Sequence, residues 1–327
     1  VIPLFVISYF TSHLQYYERS AQANIFGANN FYYARSQYSL YSSSQNADFL
    51  TAGFSDPVFL PLGKQQRAAS HLLNPHSQKI LIIVNESWGQ PQNKELQDAV
   101  FAKLTEQKDK FSIWENGSFN FIGATIEGEI RELCAYGGLR GYALRRTSKE
   151  KFTQCLPNIL KKQGYATFAL HGASSQLYDR FSWYPKAGFD EIKTAENMIG
   201  RKTCSAFGGV CDSVLFDEVS NFFKIHHKGL FYWMTLTSHA DYPRSDLFNH
   251  RLQCMEYGLP DDTDLCRNFS LQTQFFDGLA ELITQPEMKG VEVIVVGDHP
   301  PPVANIGEVF KYLEQGYVAW LHFKIKE

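Results

Sequence analysis

The chain has 327 residues, of which 44% are hydrophobic and 20% charged, and its formal net charge at pH 7 is −3. This balance is typical of a globular protein and excludes a largely disordered chain. Neither a basic excess nor a run of like charge indicates a nucleic-acid partner, so we expect none.

The first part of the chain, residues 1–77, is rich in Ser, Tyr, Asn and Gln and shows little hydrophobic periodicity. We predict that it forms a membrane-proximal extension that wraps the rest of the protein. It begins with the apolar run Val1–Phe10, which is shorter than the about 20 residues that a helix needs to cross a bilayer. Three interpretations stay open: the end of an upstream membrane-spanning helix absent from this chain, an interfacial segment, or an ordinary buried element.

From Lys79 onward, strand and helix patterns alternate. Short, continuous apolar runs predict strands that are buried on both faces, over Lys79–Val84, Ala166–Leu170, Gly229–Leu236 and Val291–Val296. Helical patterns lie between them, over Lys94–Leu104, Phe152–Gln163 and Leu271–Ile283. The alternation predicts an α/β fold with a mostly parallel central sheet flanked by helices on both faces. Because we find no internal repeat or linker, we predict that residues 78–327 form a single domain.

Six cysteines indicate the redox environment of the protein. Cys204 with Cys211 and Cys254 with Cys266 each enclose a short loop rich in Gly, Pro or Asp, and none of the six forms a CxxC zinc pattern. We predict three disulfides, with Cys134 paired to Cys155 by elimination, and hence an oxidising compartment. The alternative is six reduced, buried thiols in a cytosolic enzyme.

Polar residues capable of catalysis directly follow each of the four predicted strands. Glu86 follows the first strand, His171 the second, His239 the third, and the pair Asp298-His299 the fourth. Ligands of open α/β sheets bind beyond the carboxyl ends of the strands, so we expect these side chains to converge. Taken singly, each is an ordinary loop residue. Together they offer the carboxylate and imidazole ligands of Zn²⁺ or Mn²⁺.

The segment Phe119–Cys134 contains a candidate nucleophile. A short apolar run is followed by a helical pattern, for which we predict Thr125 as the N-cap and Glu127 and Glu129 in the first turn. Thr125 either only caps the helix or presents its hydroxyl beside backbone N–H groups that hold a phosphate. A threonine hydroxyl is a weak nucleophile at neutral pH and needs a nearby metal to stabilise its alkoxide.

Four of these positions carry a resemblance to a known family. Glu86 in NESWG, Thr125 in GATIEGEIREL, and Asp298 with His299 in VVGDHP resemble the metal-binding residues of the alkaline phosphatase superfamily. The similarity is to its sulfatase-like branch, which contains lipoteichoic acid synthases and phosphoethanolamine transferases. The resemblance extends from Lys79 to the C-terminus. It implies a sulfatase-like catalytic domain in which these four residues bind Mn²⁺ or Zn²⁺ and Thr125 is the nucleophile.

Further residues match the synthase branch in the order that the family shows. His171 and Arg180 lie in HGASSQLYDR and His239 in TLTSHADYP, and the resemblance implies that all three are catalytic residues that contact the phosphate. True sulfatases instead require a C/S-x-P-x-R motif. Cys155 begins such a motif, but Ile159 stands where Arg is required, so we reject formylglycine chemistry.

The subfamily is left open by two features. His226, His227 and His250 lie outside the family pattern, and we predict that they are surface residues. The segment from Cys204 to Cys211 with the following Asp212 resembles the phosphoethanolamine transferase branch. Either headgroup, phosphoglycerol or phosphoethanolamine, is therefore compatible with the sequence.

The resemblance implies a metal-dependent phosphotransferase that moves a phospho-alcohol headgroup from a membrane phospholipid to an envelope glycan. A covalent intermediate on Thr125 would carry the headgroup between them. The expected location is the periplasmic or extracellular face of a bacterial inner membrane. Two alternatives stay open, a phosphodiesterase or phosphatase of the same fold and an inactive domain that binds lipid or glycan.

Overall fold

The computed structural model describes residues 55–138 and 141–327. Phe59–Leu139 and Leu144–Glu327 form one compact unit. The apolar run Val1–Phe10 and most of the predicted extension over residues 1–77 lie outside the described residues, so this division of the chain stays a prediction. Among the described residues, no helix combines the length and the apolar character needed to span a membrane.

A mixed sheet forms the centre of the compact unit described above. Its strands, with one short separate pair, are β1 (Leu60–Pro61), β2 (Lys79–Asn85), β3 (Gly89–Pro91), β4 (Phe111–Asn120), β5 (Tyr136–Gly137), β6 (Ala166–His171), β7 (Glu191–Lys193), β8 (Gly229–Met234), β9 (Glu292–Gly297) and β10 (Leu313–Ile325). The sheet order is β3-β10-β9-β2-β8-β6-β7, with β4 paired to β10, while β1 pairs with β5 apart from it.

The middle of this sheet is parallel. Strands β9, β2, β8, β6 and β7 run in the same direction, whereas β10 is antiparallel to β9, β3 and β4. Val84 of β2 lies opposite Met234 of β8 and Val296 of β9, so the carboxyl ends of the three central strands are level. The predicted α/β class with a mostly parallel central sheet is confirmed.

Helices flank the sheet. They are α1 (Lys94–Val100), α2 (Ala102–Thr105), α3 (Thr125–Cys134), α4 (Leu156–Lys162), α5 (Arg180–Ala187), α6 (Phe216–Ile225), α7 (Asp264–Leu282) and α8 (Ile306–Tyr312). The predicted helix over Lys94–Leu104 is divided at Phe101, whose backbone is not helical. The helix predicted to begin at Leu271 begins earlier, at Asp264, because the Thr263 side chain accepts a hydrogen bond from the Cys266 N–H and caps it.

Two further predicted boundaries are wrong for identifiable reasons. The helix predicted from Phe152 starts only at Leu156, because Cys155 is in extended conformation and Pro157 favours the first helical turn. The strand predicted to end at Leu236 ends at Met234. Beyond that point, the Leu236 N–H donates to a side-chain carboxylate and not to a neighbouring strand.

The three predicted disulfides are confirmed. Cys134 is bonded to Cys155, Cys204 to Cys211, and Cys254 to Cys266. The alternative of six reduced thiols is therefore wrong, and disulfides of this kind persist in oxidising compartments.

Candidate functional site

The level carboxyl ends of β2, β8 and β9 bring residues that are far apart in sequence to one edge of the sheet. Asn85 at the end of β2 pairs with Gly297 at the end of β9, and the Asp298 N–H donates to the Asn85 carbonyl at 3.2 Å. The Ser238 hydroxyl, just beyond β8, donates to the Glu86 carbonyl at 2.6 Å. Loops that follow three separate strands thus contact one another, as parallel strand ends require.

Glu86, Asp298 and His299 form a cluster at this edge, called here the acidic-histidine cluster. The His299 Nε2 atom lies 3.6 Å from Glu86 Oε1 and 3.3 Å from Asp298 Oδ2. One ligand atom from each residue lies within 4.8 Å of the other two. Two carboxylates and an imidazole in this arrangement are a donor set suited to a divalent transition-metal ion.

Two details of the acidic-histidine cluster fit a bound cation. Asp298 Oδ1 accepts hydrogen bonds from the Ser87 and His299 N–H groups at 2.7 Å each, whereas the buried Oδ2 atom has no hydrogen-bond partner. The His299 Nδ1 atom lies 2.9 Å from the Pro300 carbonyl, which can only accept, so Nδ1 carries the proton. The lone pair of His299 Nε2 is therefore directed to the same space as the Asp298 Oδ2 atom, which has no hydrogen-bond partner.

The charge balance of the cluster is also consistent with a cation. Burial raises the pKa of Asp298 to about 6, and the neighbouring Glu86 carboxylate adds to the effect. Burial on its own would lower the pKa of His299, but attraction to the Asp298 and Glu86 carboxylates outweighs it and raises that pKa. Glu86 raises the pKa of both residues, as expected where two carboxylates share a buried space, and a divalent cation would offset their charge.

Thr125 lies at the acidic-histidine cluster. Our prediction that Thr125 is the N-cap is wrong by one position: Ala124 is the cap, and Thr125 is the first residue of α3. The Glu127 carboxylate accepts from the Ala124 N–H at 2.9 Å, so the threonine hydroxyl is not needed for capping. Its Oγ1 atom instead lies 3.4 Å from His299 Nε2.

Helix α3 is fixed against the end of β9 by contacts that the sequence did not indicate. The Arg131 guanidinium donates to the carbonyls of Gly297 at 2.6 Å and Asp298 at 3.2 Å, and to Glu132 at 2.6 Å. A Cβ at Gly128 would lie 2.8 Å from the Asp298 Cα atom. A glycine inside a predicted helix is the sequence feature that could have indicated this close approach of α3 to the Asp298 backbone.

The loop that carries Glu86 is held from the other side by α7. The Gln272 amide donates to the Glu86 carbonyl at 2.9 Å, and the Asn268 amide donates to the Ser87 carbonyl at 3.1 Å. Ser87 has a φ of 55° and donates its hydroxyl to Glu86 Oε1 at 2.8 Å. Asn268 and Gln272 are buried and lie four residues apart, on the same face of α7. Two polar residues on the apolar face of a predicted helix could have indicated these contacts from the sequence.

His171 and His239 follow β6 and β8. Among the described residues, neither forms a hydrogen bond or ion pair with Glu86, Thr125, Asp298 or His299. His171 is buried, its Nδ1 atom lies 3.0 Å from the Met234 carbonyl, and burial lowers its pKa well below the usual value, with a further lowering by Arg180. It is therefore neutral, with an unprotonated Nε2. His239 is half-buried and packs on Phe207 at a ring distance of 4.6 Å.

Arg180, the third residue predicted to contact phosphate, lies in a buried ion pair. Its Nε and Nη2 atoms donate to Glu129 Oε1 at 2.9 and 2.7 Å, and Nη1 donates to the Leu177 carbonyl at 3.3 Å. The hydroxyls of Tyr184 and Tyr232 donate to the other oxygen of Glu129. Glu129 lies one turn after Thr125 on α3, so Arg180 supports that helix. Contact of Arg180 with phosphate stays a prediction.

Asp212 organises the backbone that leads from β8 to His239. Its buried carboxylate accepts from the N–H groups of Leu236 at 2.9 Å and Thr237 at 2.6 Å, and burial raises its pKa to about 6. The disulfide that precedes Asp212 closes one side of a groove of about 370 Å³, lined by Lys202, Thr203, Cys204, Ser205, Ser213, Ser245, Asp246 and Phe248.

Of the three histidines outside the family pattern, His227 and His250 are exposed and His226 is half-buried against Phe222.

Comparison with known proteins was made by family model, by sequence and by structure. The family model described as Sulfatase matches residues 130–258, a range that includes His171, Arg180 and His239 but not the acidic-histidine cluster or Thr125. No curated protein sequence matches the chain significantly.

Many solved structures are similar to the chain, among them the following three. Lipoteichoic acid synthase LtaP from Listeria monocytogenes has a TM-score of 0.59 at 17% identity over 75% of this chain and 65% of its own. A protein in the alkaline phosphatase superfamily from Vibrio parahaemolyticus has a TM-score of 0.55 at 18% identity over 77% and 62%. Streptococcus pyogenes phosphoglycerol transferase GacH, in complex with sn-glycerol-1-phosphate, has a TM-score of 0.53 at 14% identity over 80% and 70%.

These similarities concern the fold, since all three identities are low. The chain spans less than two thirds of the length of the first two solved structures.

Proposed function

We propose that this chain, which has the fold of the alkaline phosphatase superfamily and carries a sulfatase-family domain over residues 130–258, is a metal-dependent phosphotransferase. The observation that carries the proposal is the position of the Thr125 hydroxyl, 3.4 Å from the free Nε2 atom of His299 in a cluster with two buried carboxylates. A capping residue would direct its hydroxyl to its own helix, whereas this hydroxyl is directed to the donor set.

The proposed metal ligands are Glu86, Asp298, His299 and the Thr125 oxygen. The superfamily depends on divalent metals, and we propose Mn²⁺ or Zn²⁺ here. When bound, such an ion lowers the pKa of a coordinated hydroxyl and polarises a phosphoryl oxygen. The chain's own contribution is to hold the hydroxyl in place through α3 and to keep one Asp298 oxygen unpaired for the ion.

In the first proposed step, Thr125 Oγ1 attacks the phosphorus of a phospholipid. The bond between Oγ1 and phosphorus forms, and the bond between phosphorus and the diacylglycerol oxygen breaks. Diacylglycerol leaves with a proton and Thr125 loses one, so the step is balanced. We assign the proton delivery to His239, which is half-buried and can exchange with solvent. The Glu127 N–H donates to the Ala124 carbonyl at 2.9 Å, which leaves the N–H groups of Thr125 and Ile126, the first two residues of α3, to bind the phosphate oxygens.

In the second proposed step, a hydroxyl of an envelope glycan attacks the phosphorus. The bond between acceptor oxygen and phosphorus forms, the bond to Thr125 Oγ1 breaks, and the acceptor proton returns to Thr125. We assign the transient acceptance of this proton to His171, whose Nδ1 atom lies 3.0 Å from the Met234 carbonyl and whose Nε2 atom is therefore unprotonated. The polar groove beside Cys204, with Phe248 and Lys202 in its wall, is our candidate for the glycan.

The transferred group is a phospho-alcohol, either phosphoglycerol or phosphoethanolamine. GacH was solved with sn-glycerol-1-phosphate, which supports the first. We further propose that the domain works at the outer face of a bacterial inner membrane. The three disulfides support an oxidising compartment of this kind, and the phospholipid donor requires proximity to a membrane.

Headgroup release from a labelled phospholipid tests the proposal, measured with and without an added glycan acceptor. We expect the acceptor to raise release and to become labelled, and Thr125→Ala to abolish both. Thr125→Ser, which keeps a hydroxyl at the same position, should retain part of the activity. Release of free phospho-alcohol at an unchanged rate with or without acceptor would assign the protein to the phosphodiesterases instead. Full activity of Thr125→Ala would disprove the covalent mechanism.

A further inference from the structure

A second group of potential metal ligands lies away from the acidic-histidine cluster. His71 belongs to the 3-10 turn Ala68–Leu73, Glu115 lies on β4 and His322 on β10. One ligand atom from each lies within 4.8 Å of the other two. Three segments that are far apart in the sequence thus direct metal-binding side chains to one point.

This group lies away from the first along the strand direction. His322 lies opposite Ile294 of β9, and Asp298 of the acidic-histidine cluster comes four residues later in the chain. Four residues of extended strand correspond to roughly 13 Å. The two groups share no residue, and the second is not required by the phosphotransferase proposal.

The distances within the group match those of a tetrahedral zinc site. The Glu115 Oε2 atom lies 3.4 Å from His71 Nδ1 and 3.3 Å from His322 Nδ1. Zinc binds nitrogen and oxygen ligands at about 2.0–2.2 Å, and ligand atoms at two corners of such a tetrahedron are about 3.3–3.6 Å apart. Both measured distances therefore correspond to an edge of that tetrahedron.

His322 is oriented as a metal ligand requires. Its Nε2 atom lies 2.9 Å from Glu292 Oε1 and its Nδ1 atom 3.3 Å from Glu115 Oε2, so with an ion bound Nε2 would donate to Glu292 and Nδ1 would present its lone pair to the ion. A buried carboxylate behind a ligating histidine is the usual outer partner of a zinc ligand. Glu292 itself is held by the His76 N–H, which donates to Oε2 at 2.6 Å.

The charges of the group favour a cation. In the described part of the chain, the ion pairs of Glu115 and Glu292 are formed with these two histidines and with no Lys or Arg. Among the residues described, the group thus contains two carboxylates without an ion pair to Lys or Arg, a charge arrangement that suits a divalent ion.

We propose that His71, Glu115 and His322 bind a Zn²⁺ ion, with Glu292 as the residue that positions His322. The fourth position faces solvent, since half of the Glu115 side chain is exposed, and is taken by water. The ion would tie the turn Ala68–Leu73, which precedes β2, to β4 and β10 at the antiparallel edge of the sheet.

Metal binding by the full chain with the first site disabled tests this proposal. The variant Glu86→Gln/Asp298→Asn is treated with chelator and then titrated with Zn²⁺, and bound metal is counted by elemental mass spectrometry. We expect one Zn²⁺ per chain. With Co²⁺ in its place, we expect the visible absorption bands of a tetrahedral ion. No bound metal in this variant would overturn the proposal.

Further substitutions in the same background locate the ion. His71→Ala and Glu115→Gln change side chains that are at least partly exposed, so both should fold, and each should weaken Zn²⁺ binding at least ten-fold. Glu292→Gln should weaken it about 10- to 100-fold by releasing His322. The matched control His227→Ala removes an exposed histidine elsewhere and should change nothing. Unchanged Zn²⁺ affinity in both His71→Ala and Glu115→Gln would place the ion elsewhere and refute the assignment.

Discussion

Replacement of Arg131 by Met should be among the most destabilising single changes in this protein. The Arg131 and Glu132 side chains are completely buried and form an ion pair at 2.6 Å. Arg131 also donates to the Gly297 and Asp298 carbonyls. Methionine fills a similar volume but leaves the buried Glu132 carboxylate without its ion-pair partner, although the Arg67 guanidinium still attracts it.

The expected loss of stability follows from the missing ion-pair partner of Glu132. Removing one partner of a buried ion pair lowers the free energy of unfolding by about 3–5 kcal/mol. With a denaturant slope of about 3 kcal/mol per M for urea, the midpoint of unfolding should fall by about 1 to 1.7 M. Adding Glu132→Gln should recover part of this loss, because the second change removes the charge that the first left unpaired.

The assay is urea unfolding followed by circular dichroism, with chelator present so that metal binding does not contribute. The control is Lys161→Met, which removes one partner of an exposed ion pair with Asp190 and should cost at most about 1 kcal/mol. A drop in midpoint for Arg131→Met no larger than that of Lys161→Met would refute the account of how α3 is anchored. A double variant less stable than Arg131→Met alone would contradict the charge argument.

The remaining predictions concern the site and the fold. Gly128→Ala should weaken metal binding at least ten-fold in calorimetry, since the new Cβ lies 2.8 Å from the Asp298 Cα atom and would push α3 from β9; unchanged affinity would contradict this. Mn²⁺ or Zn²⁺ at 100 times its dissociation constant should stabilise the wild type by about 2.7 kcal/mol, with a much smaller effect in Asp298→Asn. The raised pKa of Asp212, about 6, contributes stability that is present below pH 4 and lost as the pH rises through 6. When the pH is lowered from 7 to 4, the free energy of unfolding of the wild type should therefore increase by on the order of 3 kcal/mol relative to that of Asp212→Asn, as measured by urea unfolding. The same pH dependence in both proteins would disprove this prediction. Replacing both Cys254 and Cys266 by Ser should cost about 3 kcal/mol in the same assay, as expected for a disulfide-closed loop of this length.

The central part of the fold could be predicted from the sequence because its strands are buried on both faces. The runs that became β2, β6, β8 and β9 are continuous and apolar, which is a strong local pattern. Strand β10 was missed because its exposed and buried residues follow no regular alternation. Its existence depends on pairing with β9 and β4, which are distant in the sequence, and no local pattern carries that information.

The candidate site was predictable to a similar extent. Residues immediately after strong strands, such as Glu86 and Asp298, could be placed together because parallel strands end at one edge. The contacts that fix the geometry of the site were not predictable. Arg131 and Asp212 form hydrogen bonds with backbone groups of other elements. Because almost every residue has a backbone carbonyl and N–H, the sequence does not indicate which of them is the partner.

The most direct test of the account is the intact mass of the protein after brief exposure to phospholipid in the absence of acceptor, followed by peptide mapping. We expect an added mass equal to one phospho-alcohol group on the peptide that contains Thr125, lost on addition of a glycan acceptor and absent in Thr125→Ala. The size of the added group identifies phosphoglycerol or phosphoethanolamine. Turnover of phospholipid by the wild type, with no adduct on Thr125 under any quench condition, would contradict the claim that this hydroxyl is the nucleophile.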